Sequence, residues 1–281
     1  MLITLVSAAG SPGVTTTALA LALRWPRPVL LVEADPTGGS GMLAGFFRAQ
    51  LDQPGMVDLV IAHRSDLLAD ALPKLLVPLA DSKASVLVGV RTHEQASGVA
   101  QLWSPLLGVL RGLDPAATDV IVDAGRLGLN GWPVPLVSGS DITLLLTYSD
   151  LPGLAPARSW AAALAAEDAP GHATRLLVVG EGRPYGAREV SRTLGVPVLG
   201  SVGWAPALAR VFSHGELPPT PSWWRRFRRG ELVAGAAFES SAYIKSIDAI
   251  GETLRSTTAE TARPFRSVLA QAESLPGRTT P

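Results

Sequence analysis

A loop between an apolar run and a helical pattern carries the residues with the clearest chemistry. Residues 8–17 read Ala-Ala-Gly-Ser-Pro-Gly-Val-Thr-Thr-Thr and follow the run Leu2–Ser7. Two glycines permit a tight turn, successive backbone N–H groups can converge on an anion, and a helix N-terminus adds roughly half a positive charge. The spacing predicts a phosphate-binding loop in which the Thr15 hydroxyl touches Mg²⁺. The alternative is a plain strand–helix turn capped by Thr15 or Thr16.

Two acids at the ends of apolar runs are candidates to act beside this loop. Asp123 ends the run 120–123, where a carboxylate is costly unless a ligand or a helix cap uses it. Asp35 follows the run 29–34 and precedes Pro36, so it either orients a reacting water or simply starts a turn.

The elements around these residues predict an α/β fold. We predict strands at 2–7, 29–34, 85–90, 120–123, 142–147, 175–179 and 197–202, and helices at 15–24, 94–110, 156–166, 187–194 and about 240–254. The strands are continuous apolar runs, as in sheets covered on both faces. The pattern predicts a doubly wound, mostly parallel sheet of about seven strands with helices on both faces. We assign residues 1–255 to this domain and 256–281 to a polar C-terminal tail.

Composition narrows the classes of protein further. The 24 Lys and Arg balance 24 Asp and Glu, which excludes a generally basic nucleic-acid coat, and the lack of cysteine excludes thiolate sites. The four histidines lie far apart in sequence without the spacing of metal ligands. No apolar run reaches the length of a membrane span, and the opening MLITLV lacks a basic signal region, so we expect a cytoplasmic protein.

The loop resembles the deviant Walker loop of the MinD/ParA family, Gly-Lys-Gly-Gly-x-Gly-Lys-Thr-Thr. Further family segments are similar to residues 33–36 (Asp-x-Asp-Pro), 54–59, 119–125 (the Walker B strand) and 195–206. The resemblance covers most of residues 1–215 and implies a P-loop fold, a homodimer, and ATP with Mg²⁺ as cofactors. It gives Asp35 the catalytic role and Thr15 and Asp123 the metal. The residues that it places at the nucleotide are Gly10, Ser11, Pro12, Gly13, Val14, Thr15, Thr16, Asp123 and Gly125.

Both lysines of the family loop are missing. Ala9 stands at the signature lysine and Val14 at the Walker lysine. The chain has only three lysines against 21 arginines, but this bias does not explain the loss, because replacement by the preferred cation would leave arginine at these positions. A cation beside a phosphate in a dry site contributes several kcal/mol, so we expect weak ATP binding with impaired or absent hydrolysis.

Three functions remain open on this reading. The first is a positioning or assembly factor for pilus, secretion or partition machinery, similar to the TadZ/CpaE-like branch. The second is an active ParA-type ATPase in DNA partitioning or septum positioning, with a cation such as Arg126 supplied from elsewhere. The third is a nucleotide-free interaction module on the same fold.

Two further segments carry weaker signals. Residues 180–186 (Gly-Glu-Gly-Arg-Pro-Tyr-Gly) have the wrong spacing for a dinucleotide loop, although the resemblance brings Glu181 or Arg183 near the base. The cluster 223–229 interleaves aromatic residues with arginines and is predicted to contact DNA, an acidic surface or a protein partner, without stable membrane insertion. Its arginines are Arg225, Arg226, Arg228 and Arg229.

Overall fold

The computed structural model describes residues 1–9, 11–79, 81–219 and 230–273. Eight strands form one sheet in the order β3-β4-β2-β5-β1-β6-β7-β8. All neighbouring strands are parallel except the pair of β3 and β4. The strands are β1 Leu2–Ser7, β2 Val29–Glu33, β3 Val77–Pro78, β4 Ala84–Leu87, β5 Asp119–Arg126, β6 Ile142–Tyr148, β7 Ala173–Val179 and β8 Val198–Val202. The predicted α/β class and the mostly parallel, doubly wound sheet are confirmed.

Helices cover both faces of this sheet. They are α1 Val14–Leu23, α2 Met56–Arg64, α3 Leu68–Ala71, α4 His93–Val99, α5 Trp103–Arg111, α6 Val134–Ser138, α7 Leu151–Ala165, α8 Ala187–Leu194, α9 Pro206–His214, α10 Gly230–Glu239 and α11 Ala242–Glu273. Single helical turns lie at Met42–Phe46, Leu72–Leu75 and Ala100–Leu102. None of the helices in the described part of the chain is long and apolar enough to cross a bilayer.

Side chains of β1 alternate between the two cores that the sheet separates. Leu2 and Val6 belong to the core that includes residues of α2, α5, α7 and α8, whereas Ile3 and Leu5 belong to the core that includes residues of α1, α9 and α11. Every residue of β1 is buried. A continuous apolar run is therefore what a strand in the middle of a covered parallel sheet needs.

Several bounds differ from those expected from sequence, each for a local reason. The two-residue edge strand β3 is too short to produce a recognisable pattern. The predicted helix 94–110 is divided into α4, a single turn and α5, which places Pro105 in the first turn of α5, where its missing N–H costs no hydrogen bond. Helix α7 begins at Leu151 because the Asp150 carboxylate caps the Gly153 N–H at 2.9 Å.

Two other sequence-based assignments concern the later part of the chain. Helix α11 continues to Glu273, beyond both the predicted helix end at 254 and the predicted domain limit at 255. The division of the chain into 1–255 and 256–281 stays a prediction. The basic–aromatic cluster 223–229 and Gly10 lie outside the described residues.

The segment after β2 packs its backbone directly against the end of α9. A methyl group at Gly45 would overlap the Ser213 carbonyl oxygen, and one at Gly215 would overlap the Phe46 carbonyl oxygen. The Arg48 guanidinium donates to the carbonyl oxygens of His214 and Gly215. Glycine is required at both positions because the two backbones approach too closely for any side chain.

This close approach predicts that Gly45→Ala destabilises the protein by roughly 2 kcal/mol or more, as overpacking against a rigid backbone does. Gly98→Ala is the matched control, since a methyl group there meets nothing within 4 Å and alanine favours the helix. Denaturant unfolding of the two variants checks this. Equal stability of Gly45→Ala and Gly98→Ala would contradict the packing.

Candidate functional site

The loop between β1 and α1 adopts a conformation that its glycine pattern permits. Gly13 is the N-cap of α1 with φ 89° and ψ 40°, a left-handed geometry that favours glycine. Ser11 also has positive φ, at 47°, and Pro12 is buried. Because the N-cap is Gly13 and no side chain caps the helix, the alternative of a cap at Thr15 or Thr16 is wrong.

The first backbone N–H groups of α1 are available to an anion. The first intrahelical bond runs from Thr17 N–H to the Gly13 carbonyl at 2.8 Å, so the N–H groups of Val14, Thr15 and Thr16 precede it. The first turn has no acidic residue that would occupy them. This end of α1 is thus suited to a phosphate group.

The two positions of the family lysines carry no charge, and one is committed to packing. Val14 is only 6% exposed and lies in the core beneath the sheet, beside α9 and α11 residues. Its side chain is turned into the protein, so only its N–H can serve a ligand. Ala9 is half-buried. The anion-binding ability of the loop therefore depends on backbone groups.

Three carboxylates converge behind the loop at the carboxyl ends of β2 and β5. Glu33 and Asp123 are register partners on these adjacent parallel strands. Asp35 follows two residues after Glu33, and its carboxyl group occupies the space that a side chain at Gly125 would need. Gly125, with φ 62°, therefore has two reasons to be glycine. The structure brings Thr15, Asp35, Asp123 and Gly125 together, as the sequence predicts.

Among these three acids, Asp123 has the least favourable surroundings for a negative charge. It is 0% exposed, its Oδ1 accepts from the Gly125 N–H at 3.1 Å, and its Oδ2 has no hydrogen-bond partner in the described part of the chain. The pKa of Asp123 is raised to about 7: burial is the largest cause, the charges of Asp35 and Glu33 add to the rise, and the Thr15 hydroxyl and Gly125 N–H oppose it. Burial likewise raises the pKa of Glu33.

No cation among the described residues compensates these acids. None of the ion pairs found there includes Glu33, Asp35 or Asp123. Arg126 lies next to Gly125 on β5 and is exposed. A proton or a bound cation is the remaining means of neutralising a buried carboxylate.

Thr15 and Asp123 fit a magnesium ion. The unpartnered Asp123 Oδ2 supplies a buried oxygen, and the Thr15 hydroxyl interacts with the same carboxylate. No group of three or more His, Cys, Asp or Glu residues within the described ranges could hold a metal by itself. Magnesium suits such a site, because it commonly takes one or two protein ligands and completes its shell with water and phosphate oxygens.

Sequence reasoning missed an aromatic group on the other side of the loop. Tyr148, at the end of β6, donates its hydroxyl to the Ser11 carbonyl at 3.2 Å and packs edge-on against Trp204 with ring centroids 5.8 Å apart. The Arg183 guanidinium lies 4.8 Å from the Trp204 ring centroid. The available signal was an aromatic residue directly after a strand at the carboxyl edge of the sheet, where ligands bind in this class of fold.

Both carboxylate oxygens of Glu181 accept hydrogen bonds within this region. Its Oε1 accepts from the Ala187 N–H at 2.9 Å and its Oε2 from the Ser201 hydroxyl at 2.5 Å. The family resemblance places Glu181 or Arg183 near a nucleotide base. Of these two, Arg183 lies beside the exposed Trp204 ring.

The raised pKa of Asp123 predicts a pH-dependent stability. The folded protein binds a proton at Asp123 more tightly than the unfolded chain does. The free energy of unfolding is therefore highest, as far as Asp123 is concerned, below about pH 4, and it falls as the pH rises towards 7. The loss is on the order of 4 kcal/mol, since one pKa unit corresponds to about 1.4 kcal/mol. We expect Asp123→Asn to remove this slope in metal-free buffer, as denaturant unfolding at several pH values would show.

The exposed residue Asp70 provides the control, because Asp70→Asn should leave the slope of the parent protein unchanged. A parent protein whose unfolding free energy is the same as that of Asp123→Asn at every pH would argue against a strained carboxylate.

Comparison with known proteins identifies the fold. No protein-family model and no curated protein matches the chain. Among solved structures, the cell division ATPase MinD of Pyrococcus furiosus has a TM-score of 0.66 at 18% identity, over 91% of this chain and 98% of that one. The septum site-determining protein MinD of Pyrococcus horikoshii, complexed with Mg-ADP, gives 0.66 at 15% identity over 92% and 98%. A ParA family ATPase of Chlorobium tepidum gives 0.64 at 15% identity over 90% and 97%. The chain has the fold of the MinD and ParA P-loop ATPases.

Proposed function

We propose that this protein is a divergent MinD/ParA-like positioning or assembly factor that binds ATP and Mg²⁺ weakly and hydrolyses ATP poorly or not at all. The observation that carries the proposal is the combination of an open helix N-terminus with an unpartnered, buried Asp123 Oδ2 beside Thr15. The first is suited to phosphate and the second to a cation. Both features persist although the loop holds no lysine.

Two solved structures with this fold contain a ligand of this kind. The Pyrococcus horikoshii MinD structure contains Mg-ADP, and a Cyanothece McdA structure contains ATP. When bound here, Mg²⁺ would neutralise part of the charge on the phosphates and on Asp123. Residues Ser11 to Thr16 would supply backbone donors, except at Pro12, which has none. Thr15 and Asp123 would hold the metal.

Asp35 is the residue that we assign to the reacting water. Its Oδ1 accepts from the Thr37 N–H at 2.9 Å, and its carboxyl group lies over Gly125. One side of the carboxylate is thereby fixed, and the other can accept a proton from water. Hydrolysis would still be slow, because charge developing on the phosphate oxygens meets no side-chain cation at positions 9 and 14.

A solved structure with this fold also supports a proposal about protein partners. MinD of Aquifex aeolicus is found in a complex with MinC. We propose that this protein forms a homodimer through the loop side and engages a protein of a localisation, secretion or pilus system. The exposed Leu151 and Trp204, 65% and 46% exposed, give that side an apolar component. DNA or an acidic surface at Arg225, Arg226, Arg228 and Arg229 remains part of the proposal.

Calorimetric titration of the purified protein with ATP and Mg²⁺, paired with a phosphate-release assay, tests the function. We expect binding with a Kd well above that of an intact Walker loop and little or no phosphate release. Turnover that Asp35→Ala abolishes would instead identify a working ParA-type ATPase. Absence of binding at millimolar nucleotide would overturn nucleotide binding and leave the interaction module.

A cation restored at position 9 should strengthen binding, since Ala9 is half-buried in the loop whereas Val14 is packed in the core. Ala9→Lys is expected to raise the affinity for ATP by about tenfold or more, because a phosphate-directed cation contributes about 1 kcal/mol or more. Ala9→Met is the matched control, since it lengthens the same side chain without charge, and it should leave affinity unchanged. If both variants bind ATP like the parent protein, the loop lacks the shape of a phosphate cradle.

A further inference from the structure

Glu33 is a buried carboxylate to which the proposed nucleotide site gives no role. It is the last residue of β2 and is 3% exposed. Its Oε2 accepts from the Ser40 hydroxyl at 2.6 Å and from the Gly89 N–H at 2.9 Å, while its Oε1 accepts from the Met42 N–H at 3.1 Å. Both oxygens of this carboxyl group are therefore engaged, and its three donors would be left without an acceptor if the group were removed.

The donors belong to two separate segments. Ser40 and Met42 lie in the loop that follows β2, and Gly89 lies just beyond β4. The Ser40 oxygen also accepts from the Leu43 N–H at 2.9 Å. Glu33 and Ser40 together therefore satisfy the first N–H groups of the helical turn Met42–Phe46, which have no carbonyl partner of their own in a preceding turn.

The loop held in this way forms one wall of the metal site. Gly41 lies between the two bonded residues, and a methyl group on it would be 3.6 Å from Thr15 Cγ2 and 4.0 Å from Thr15 Oγ1. Residues 40–42 are thus placed directly beside the hydroxyl that fits magnesium. A shift of this loop by an ångström would change the space around Thr15.

We propose that Glu33 is a positioning residue, which holds residues 40–42 between β4 and Thr15 and thereby fixes the metal-binding end of the loop. It acts on Thr15 through Gly41 and is not itself a ligand. The assignment of Thr15 to the metal rests on the proposed function, but the position of the loop does not. A change at Glu33 would therefore move the segment after Asp35 and alter the space around Thr15 in the proposed phosphate loop.

The length of the Glu33 side chain matches the space that Gly89 leaves. A methyl group at Gly89 would lie 3.0 Å from Glu33 Cγ and 2.9 Å from the Glu33 carbonyl oxygen. The glutamate methylene fills the place of the missing side chain. Aspartate, which the family pattern has at this position, is one methylene shorter and would not span Met42 and Gly89 from the same backbone position.

The experiment follows the Thr15 methyl group by NMR in the ligand-free protein, together with hydrogen exchange of the Met42, Leu43 and Gly89 amides. Glu33→Gln is expected to shift or broaden the Thr15 methyl signal and to speed exchange at these amides by about tenfold. The glutamine NH₂ group cannot accept a hydrogen bond, so Met42 or Gly89 loses its acceptor, and Leu43 is affected through Ser40. Asp119→Asn is the control, since Asp119 is also buried and hydrogen-bonded, but at the opposite end of β5. It should leave these signals unchanged.

A folded Glu33→Gln protein with a parental Thr15 signal and parental amide exchange overturns the proposal. So does an equal change in Asp119→Asn, because that would make the effect a general loss of stability. If Glu33→Gln does not fold, Ser40→Ala removes only the bridging hydroxyl, and the same two outcomes then decide.

A binding measurement separates this inference from the proposed function. Where the parent protein binds ATP with Mg²⁺, Glu33→Gln should lower the affinity for ATP in the presence of Mg²⁺ by about tenfold. The affinity for ATP without metal should fall less. Equal effects on both overturn the proposal. Where the parent protein binds no nucleotide, the proposed function fails, and the NMR comparison still tests the role of Glu33.

Discussion

The site depends on the register of two adjacent parallel strands, which places Glu33, the last residue of β2, opposite Asp123 of β5. This register places two carboxylates at one edge of a covered sheet, and the turn after β2 adds Asp35. Burial raises the pKa of both Glu33 and Asp123, and the charge of Asp35 adds to the rise in each. The three acids differ in the hydrogen bonds and contacts that stabilise them. Glu33 receives three donors, Asp35 receives one N–H and the space at Gly125, and Asp123 keeps one oxygen without a partner.

The loss of the loop lysines changes the balance between binding and catalysis. Backbone N–H groups at a helix N-terminus attract an anion in the ground state and in the transition state alike, which lowers the dissociation constant without accelerating the chemical step. A side-chain cation follows charge as it develops, and positions 9 and 14 cannot supply one. The Val14 side chain has joined the core instead.

The central sheet and the turn from β1 into α1 could be predicted from sequence because their signals are local. Buried strands such as β1 are apolar runs, and the loop is a contiguous pattern of glycines and threonines. The features that escaped prediction are made by distant residues. The contact of Tyr148 with Ser11 spans 137 positions and that of Glu33 with Gly89 spans 56, so neither leaves a periodic pattern. The two-residue edge strand β3 is too short to give a hydrophobic pattern, and the start of α7 at Leu151 depends on the Asp150 cap, which that pattern does not encode.

The central claim is that the N-terminal N–H groups of α1 still form a phosphate cradle without lysine. An NMR titration of isotope-labelled protein with ATP and Mg²⁺ tests this most directly, by following the backbone amide signals of Val14, Thr15 and Thr16. The account predicts that these three signals move together and saturate, with the Asp123 and Gly125 amides following when Mg²⁺ is present. Binding of ATP that leaves the three amides unmoved would contradict it, because the anion would then lie elsewhere on the protein.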